Sequence, residues 1–93
     1  NSDIHPFEYS LNKSYPNPFN PSTAISFSVP SFDKVSINVY DLKGSLLATL
    51  VDKYCQPGNH SVNWDASNYP SGSYLVKMKS SSFTDTQKIM LLK

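Results

Sequence analysis

The sequence predicts an all-β chain, an antiparallel immunoglobulin-like β-sandwich of about seven strands, and three observations carry that prediction. Apolar residues recur at every second position, as in Ile25, Phe27 and Val29 or Val35, Ile37 and Val39, where a helix would space them by roughly 3.6. Turn-forming clusters interrupt these runs about every 8 to 12 residues. Seven prolines stand among 93 residues, three of them inside YPNPFNPST, Tyr15 to Thr23, and no helix can run through such a stretch.

Taken in order, residues 1–10 are polar and mixed and read as a linker or loosely docked tail, a tether to anything upstream, with the domain proper spanning 11–93. Pro16, Pro18 and Pro21 fix φ and remove donors, so their segment is expected to lie extended or polyproline-like on a sheet edge. Asn17 and Asn20 are expected to close local turns, and Phe19 to pin the segment to a core. A first strand covers Ile25 to Val29 and stops at Pro30; a second runs from Val35 to Tyr40. Asp41-Leu42-Lys43-Gly44 then turns the chain, with Gly44 at a positive φ that residues with a Cβ avoid. Leu46 to Val51 is apolar on both parities apart from Thr49, which suits a strand covered on both faces and hairpinned to the second.

Gln56-Pro57-Gly58-Asn59 reads as the next turn, and His60, Val62 and Trp64 as the inward parity of a fourth strand. The longest break, Asp65 to Gly72, is rich in Asn, Ser, Pro and Gly. Tyr74, Val76 and Met78 alternate in a fifth strand, Ser80 to Ser82 make a polar hairpin tip, and Phe83 to Lys93 closes the chain in its most hydrophobic strand. The closing residues either complete the core or offer an edge strand that another protein reads by strand addition.

Composition narrows the function classes. Net charge is +1, and all eight basic residues are lysines spread singly along the chain, with no arginine for bidentate phosphate contacts, so nucleic acid is not an expected partner. No apolar stretch approaches the ~20 residues of a membrane span, and membrane insertion is not expected. Cys55 is the only cysteine, which excludes an intramolecular disulfide and reads as an incidental loop residue. No paired carboxylates, nucleophile elbow, phosphate-binding glycine loop or metal-ligand spacing is present, so neither catalysis nor a cofactor is expected. Asp41, Asp65 and Asn68 lie in turns, where capping is a better explanation than calcium. Tyr9, Tyr15, Tyr54, Trp64, Tyr69 and Tyr74 leave a carbohydrate-binding or adhesive sandwich as the alternative, although Trp64 and Tyr74 fall on apolar parities.

Four motifs then carry a resemblance: YPNPFNPST at Tyr15 to Thr23, VYDLKGSLLATL at Val39 to Leu50, GNHSVNWDASNYPSGSYLVKM at Gly58 to Met78, and the closing QKIMLLK. In their order and spacing, Leu11 to Lys93 closely resembles the C-terminal sorting domain of cargo proteins exported by the type IX secretion system of Bacteroidetes and related Gram-negative bacteria. Departures are small and sit at Leu46, Ala66 and Cys55, away from the closing motif. The flagellar hook-capping protein is similar in its early strands only. The resemblance implies a non-catalytic address label on a cargo that crosses the periplasm and reaches the cell surface or medium. Its implied partners are the outer-membrane translocon, a sortase-like surface protease and the upstream cargo. The recognised element would be Lys88, Ile89, Met90, Leu91, Leu92 and Lys93, and Gly44, Pro70, Gly72 and Tyr74, with the three prolines, would hold the fold that displays it.

Overall fold

A computed structural model describes residues 7–93 and contains seven strands: β1 (Ser10–Leu11), β2 (Ser22–Val29), β3 (Asp33–Tyr40), β4 (Leu46–Cys55), β5 (Gly58–Asp65), β6 (Gly72–Lys79) and β7 (Thr84–Leu91). They form two sheets, of order β1-β2-β5 and β4-β3-β6-β7, and every pair of neighbours is antiparallel. This is the expected all-β sandwich. The chain changes sheet after β2, β4 and β5, in the pattern of an immunoglobulin domain, with β2 and β5 in one layer facing β3, β6 and β7 in the other.

Alternation does the folding. Ile25, Phe27 and Val29 from β2 meet Val35, Ile37 and Val39 from β3, Val76 and Met78 from β6, and Ile89 and Leu91 from β7 in one buried cluster. One side chain per two-residue strand repeat is removed from water, and this supplies the main stabilising term, at roughly 1.5–3 kcal/mol for each fully buried large apolar group. No buried side-chain polar atom among the described residues lacks a hydrogen-bond partner. Tyr74 sits near the start of β6 and donates its hydroxyl to the Pro70 carbonyl, four residues upstream. That contact is the tyrosine corner of immunoglobulin-like sandwiches, and it pins the Asp65–Gly72 loop onto the end of the sheet.

Three expectations need correction. Leu46–Val51 is not covered on both faces: β4 is an edge strand, Leu46 is exposed, and register shifts between Ile37/Asn38 and Val39/Tyr40 absorb its surplus apolar residues as bulges. Cys55 is not a loop residue but the last residue of β4, packed in the core, where burial raises its thiol pKa. The proline segment is neither extended nor polyproline-like; it bends at residues 16–18 and 20–21, and the bonds preceding all three prolines are cis. Gly44 does adopt φ +90, as the turn after β3 requires.

Residues 1–6, most of the expected tether, lie outside the described residues. Just after them, Tyr9 stacks on Phe83 at 5.4 Å and donates a 2.6 Å hydrogen bond to Asp33 Oδ2, while the Glu8 carbonyl accepts one from Ser28. The Tyr9 hydroxyl, followed by that of Ser81, holds the Asp33 carboxyl below its ordinary range.

Candidate functional site

β7 is an outermost strand of the four-stranded sheet, at the edge opposite β4, and its pairing with β6 sets the direction of each of its side chains. Ile89 and Leu91 point inward at 1% and 0% exposure, whereas Met90 and Leu92 point outward at 38% and 51%. Lys88 and Lys93 are exposed as well. The six candidate residues therefore divide into two structural roles: Ile89 and Leu91 anchor the strand, and Lys88, Met90, Leu92 and Lys93 face solvent.

An outermost strand leaves one row of backbone donors and acceptors unpaired unless something covers it. Here the proline segment does. Asn17 accepts from the Met90 N–H through Oδ1 at 3.0 Å and donates through Nδ2 to the Lys88 carbonyl at 3.3 Å, so a single side-chain amide imitates a neighbouring strand. Phe19 continues the seal from its backbone, donating to the Met90 carbonyl at 2.9 Å and accepting from the Leu92 N–H at 3.0 Å. Further back, Gln87 Nε2 donates to the Asn12 carbonyl, and its Oε1 accepts from the Ser14 N–H at 2.9 Å.

Strand addition along the outer edge of residues 88–92 is thus blocked in this conformation. Asn17 does not form the local turn expected of it; its partners lie more than seventy residues away. No spacing rule announces such a contact in a single sequence.

The strap is itself anchored. Phe19 is buried against Trp64 at 5.8 Å, as its sequence position predicted, and Trp64 packs edge-on to Tyr74 at 5.4 Å. The Pro16 carbonyl accepts from Thr23 Oγ1 at 2.7 Å and that of Pro21 from the Ala66 N–H at 2.9 Å; Pro18 is exposed between them. Lys93 closes the far end, its Nζ donating to the Ser67 carbonyl at 2.7 Å and its N–H accepted by Ser71 Oγ at 3.0 Å. Gly72 opens β6 at φ +153, directly opposite Leu91.

The aromatics do not form a sugar platform around the tryptophan. Trp64, Tyr69 and Tyr74 pack on one another in tilted and edge-on contacts, with Trp64 and Tyr74 in the core. His60 stacks on Phe27 at 5.2 Å and bonds the Gln56 carbonyl. Asp41 accepts from the Lys43 and Ser45 N–H groups, and Asp65 from the Ser67 N–H and hydroxyl, so both serve as turn caps. Among the described residues no three His, Cys, Asp or Glu side chains gather as a metal site, and no helix is long and apolar enough to cross a membrane.

These features define a small immunoglobulin-like sandwich whose anchored closing strand turns Met90 and Leu92 outward. Residues 13–92 match the family model described as the secretion system C-terminal sorting domain, and the chain belongs to that family. It is a C-terminal sorting signal for type IX secretion, a role associated with Bacteroidetes and with export to the cell surface or medium. Domains of this family are addresses rather than catalysts, and they act on an upstream cargo together with the secretion machinery. No curated protein sequence matches the chain.

Proposed function

We propose that Lys88 to Lys93 is the part of this domain that the outer-membrane translocon reads. On this reading the cargo enters the periplasm by an ordinary signal peptide, the domain folds there, and the translocon engages the closing strand. A sortase-like surface protease then cuts upstream of the domain, in the neighbourhood of residues 1–10. Gly44, Pro70, Gly72 and Tyr74, with Pro16, Pro18 and Pro21, hold the display geometry.

One observation carries the reading: Met90 and Leu92, two large apolar side chains, stand outward on a strand whose backbone edge is already sealed. Met90 and Leu92 are only partly covered in the folded monomer, and Lys88 and Lys93 flank them to form an apolar pair bracketed by two cations. Recognition then proceeds through side chains, with the lysines setting orientation.

The test is a signal-peptide-bearing reporter fused to residues 1–93 in a type IX host. Deleting Lys88 to Lys93 should strand the reporter in the periplasm. Because that deletion also removes the buried Ile89 and Leu91, the deciding variant is Met90→Ser with Leu92→Ser, which spares the core. External reporter at the parental level from this folded variant overturns the reading.

A further inference from the structure

We propose that the outer face of the four-stranded sheet, centred on Leu75 and Lys77, is a docking surface for an acidic protein partner that seats apolar side chains between the lysines. The inference rests on the sorting reading and extends the recognised surface from the closing strand to the sheet beside it.

The registers define the face in rows. Leu46, Tyr40, Leu75 and Lys88 form one row across β4, β3, β6 and β7; Thr49, Asn38, Lys77 and Thr86 form the next; Asp52, Ser36, Lys79 and Thr84 the third. Beyond the first row Ser73 pairs with Met90, which makes Met90 continuous with this face. A shallow trough of about 340 Å³ runs between the first two rows, lined by Tyr40, Gly44, Leu75, Lys77 and Thr86.

Three features point to a partner. Folding does not call for this chemistry, because the outer face of the other sheet does without it: Ala24 and Ser26 on β2 stand beside Asn63 and Ser61 on β5, Ser28 is covered by Ser10 and the Glu8 carbonyl, and the one charged side chain in these rows, Asp65, is a turn cap. Protection of a sheet edge does not call for it either, since Lys77 and Lys79 lie on β6, between β3 and β7. Finally, the one carboxylate in these rows, Asp52, already pairs with Lys34 at 3.8 Å. Lys77, Lys79 and Lys88 have no ion-pair partner among the described residues.

Charge complementarity therefore selects an acidic occupant, and the trough selects one with apolar side chains to insert. A protein surface meets both conditions. A bilayer meets them less well, because Tyr40 and Leu75 are half-buried and leave little apolar area for a membrane to cover.

The reporter fusion tests this in the type IX host. Lys77→Glu with Lys79→Glu should lower external reporter by about tenfold or more, with thermal unfolding of the domain close to the parent. Lys77→Gln with Lys79→Gln supplies the neutral version should the double acid perturb folding, and is expected to reduce export by a smaller factor. Ser26→Glu with Ser61→Glu on the opposite sheet should export normally. A photo-crosslinking residue at position 75 should yield a protein adduct of discrete mass that disappears in the Lys77→Glu/Lys79→Glu background.

Parental export from both lysine pairs, or no protein adduct at position 75, overturns the docking surface. Lysine-dependent flotation of the chain on phosphatidylcholine vesicles containing roughly a third phosphatidylglycerol, with no adduct, overturns it in favour of a membrane. Failure of the sorting reading looks different: the parent fusion is not exported, or Met90→Ser with Leu92→Ser changes nothing.

Discussion

The two sheets of this sandwich share a core yet turn opposite kinds of surface to solvent. Their inner faces are alike, rows of Ile, Val, Phe and Met set by the same alternation. Outside, β2 and β5 present Ala24, Ser26, Asn59, Ser61 and Asn63, whereas β3, β6 and β7 present Tyr40, Leu75, Lys77, Lys79, Lys88 and Met90. The inner faces are fixed by what they must pack against; the outer faces are free of that demand. Where free faces diverge this far, the divergence records what each one meets rather than what the fold requires.

The comparison can be broken first at its foundation. If the sheets share one core, Phe27→Ala behind the bland face and Met78→Ala behind the basic one should be similarly severe, at ~3–5 and ~2–5 kcal/mol respectively. At about 4–8 °C per kcal/mol for a domain of this size, thermal unfolding separates either from the parent, and a mild effect on one side alone would mean the sheets fold unequally.

Asn17→Ala comes next, removing two hydrogen bonds to β7 at about 0.5–1.5 kcal/mol each. Hydrogen exchange should then accelerate at the Met90 amide and leave the Ile25 amide within β2 protected.

A smaller effect is expected on acidification. The folded Asp33 carboxyl has a lowered pKa, so its contribution is complete above the ordinary carboxylate range and fades as pH falls through the depressed folded value. Asp33→Asn should flatten the acid limb of the stability curve, and Tyr9→Phe should flatten it partly. The smallest effects sharpen the contrast itself. Ser61→Glu and Lys77→Glu should each alter stability by no more than about 0.5 kcal/mol, yet only the second should impair export.

Most of the architecture was legible because alternation is a local signal. Strands β2, β3, β5 and β6 follow directly from the spacing of Ile25, Val35, Trp64 and Val76 with their neighbours, and the positive φ at Gly44 follows from the turn. β4 misled because its bulges shift parity within one strand, so apolar residues on both parities need not mean cover on both faces. Two-residue β1 is too short to carry a period. The candidate site was half legible: the apolar alternation of Ile89 to Leu92 is visible, but which parity is buried depends on the pairing of β6 with β7. The role of Asn17 was invisible, since an amide that completes a distant strand looks the same in sequence as one that closes a turn.

Phe7 lies near Gly58, at the end of the sandwich shared by the β2–β3, β4–β5 and β6–β7 turns, while Lys93 rests on Ser67 and Ser71 at the opposite end. An eight-residue strand spans roughly 25 Å between them. The domain is therefore a spacer as much as a label. Under the proposed reading of the closing strand, a bulky passenger joined at the near pole is held about a strand's length from the far one, its girth has little means of obscuring the closing residues, and one reader would serve passengers of very different size.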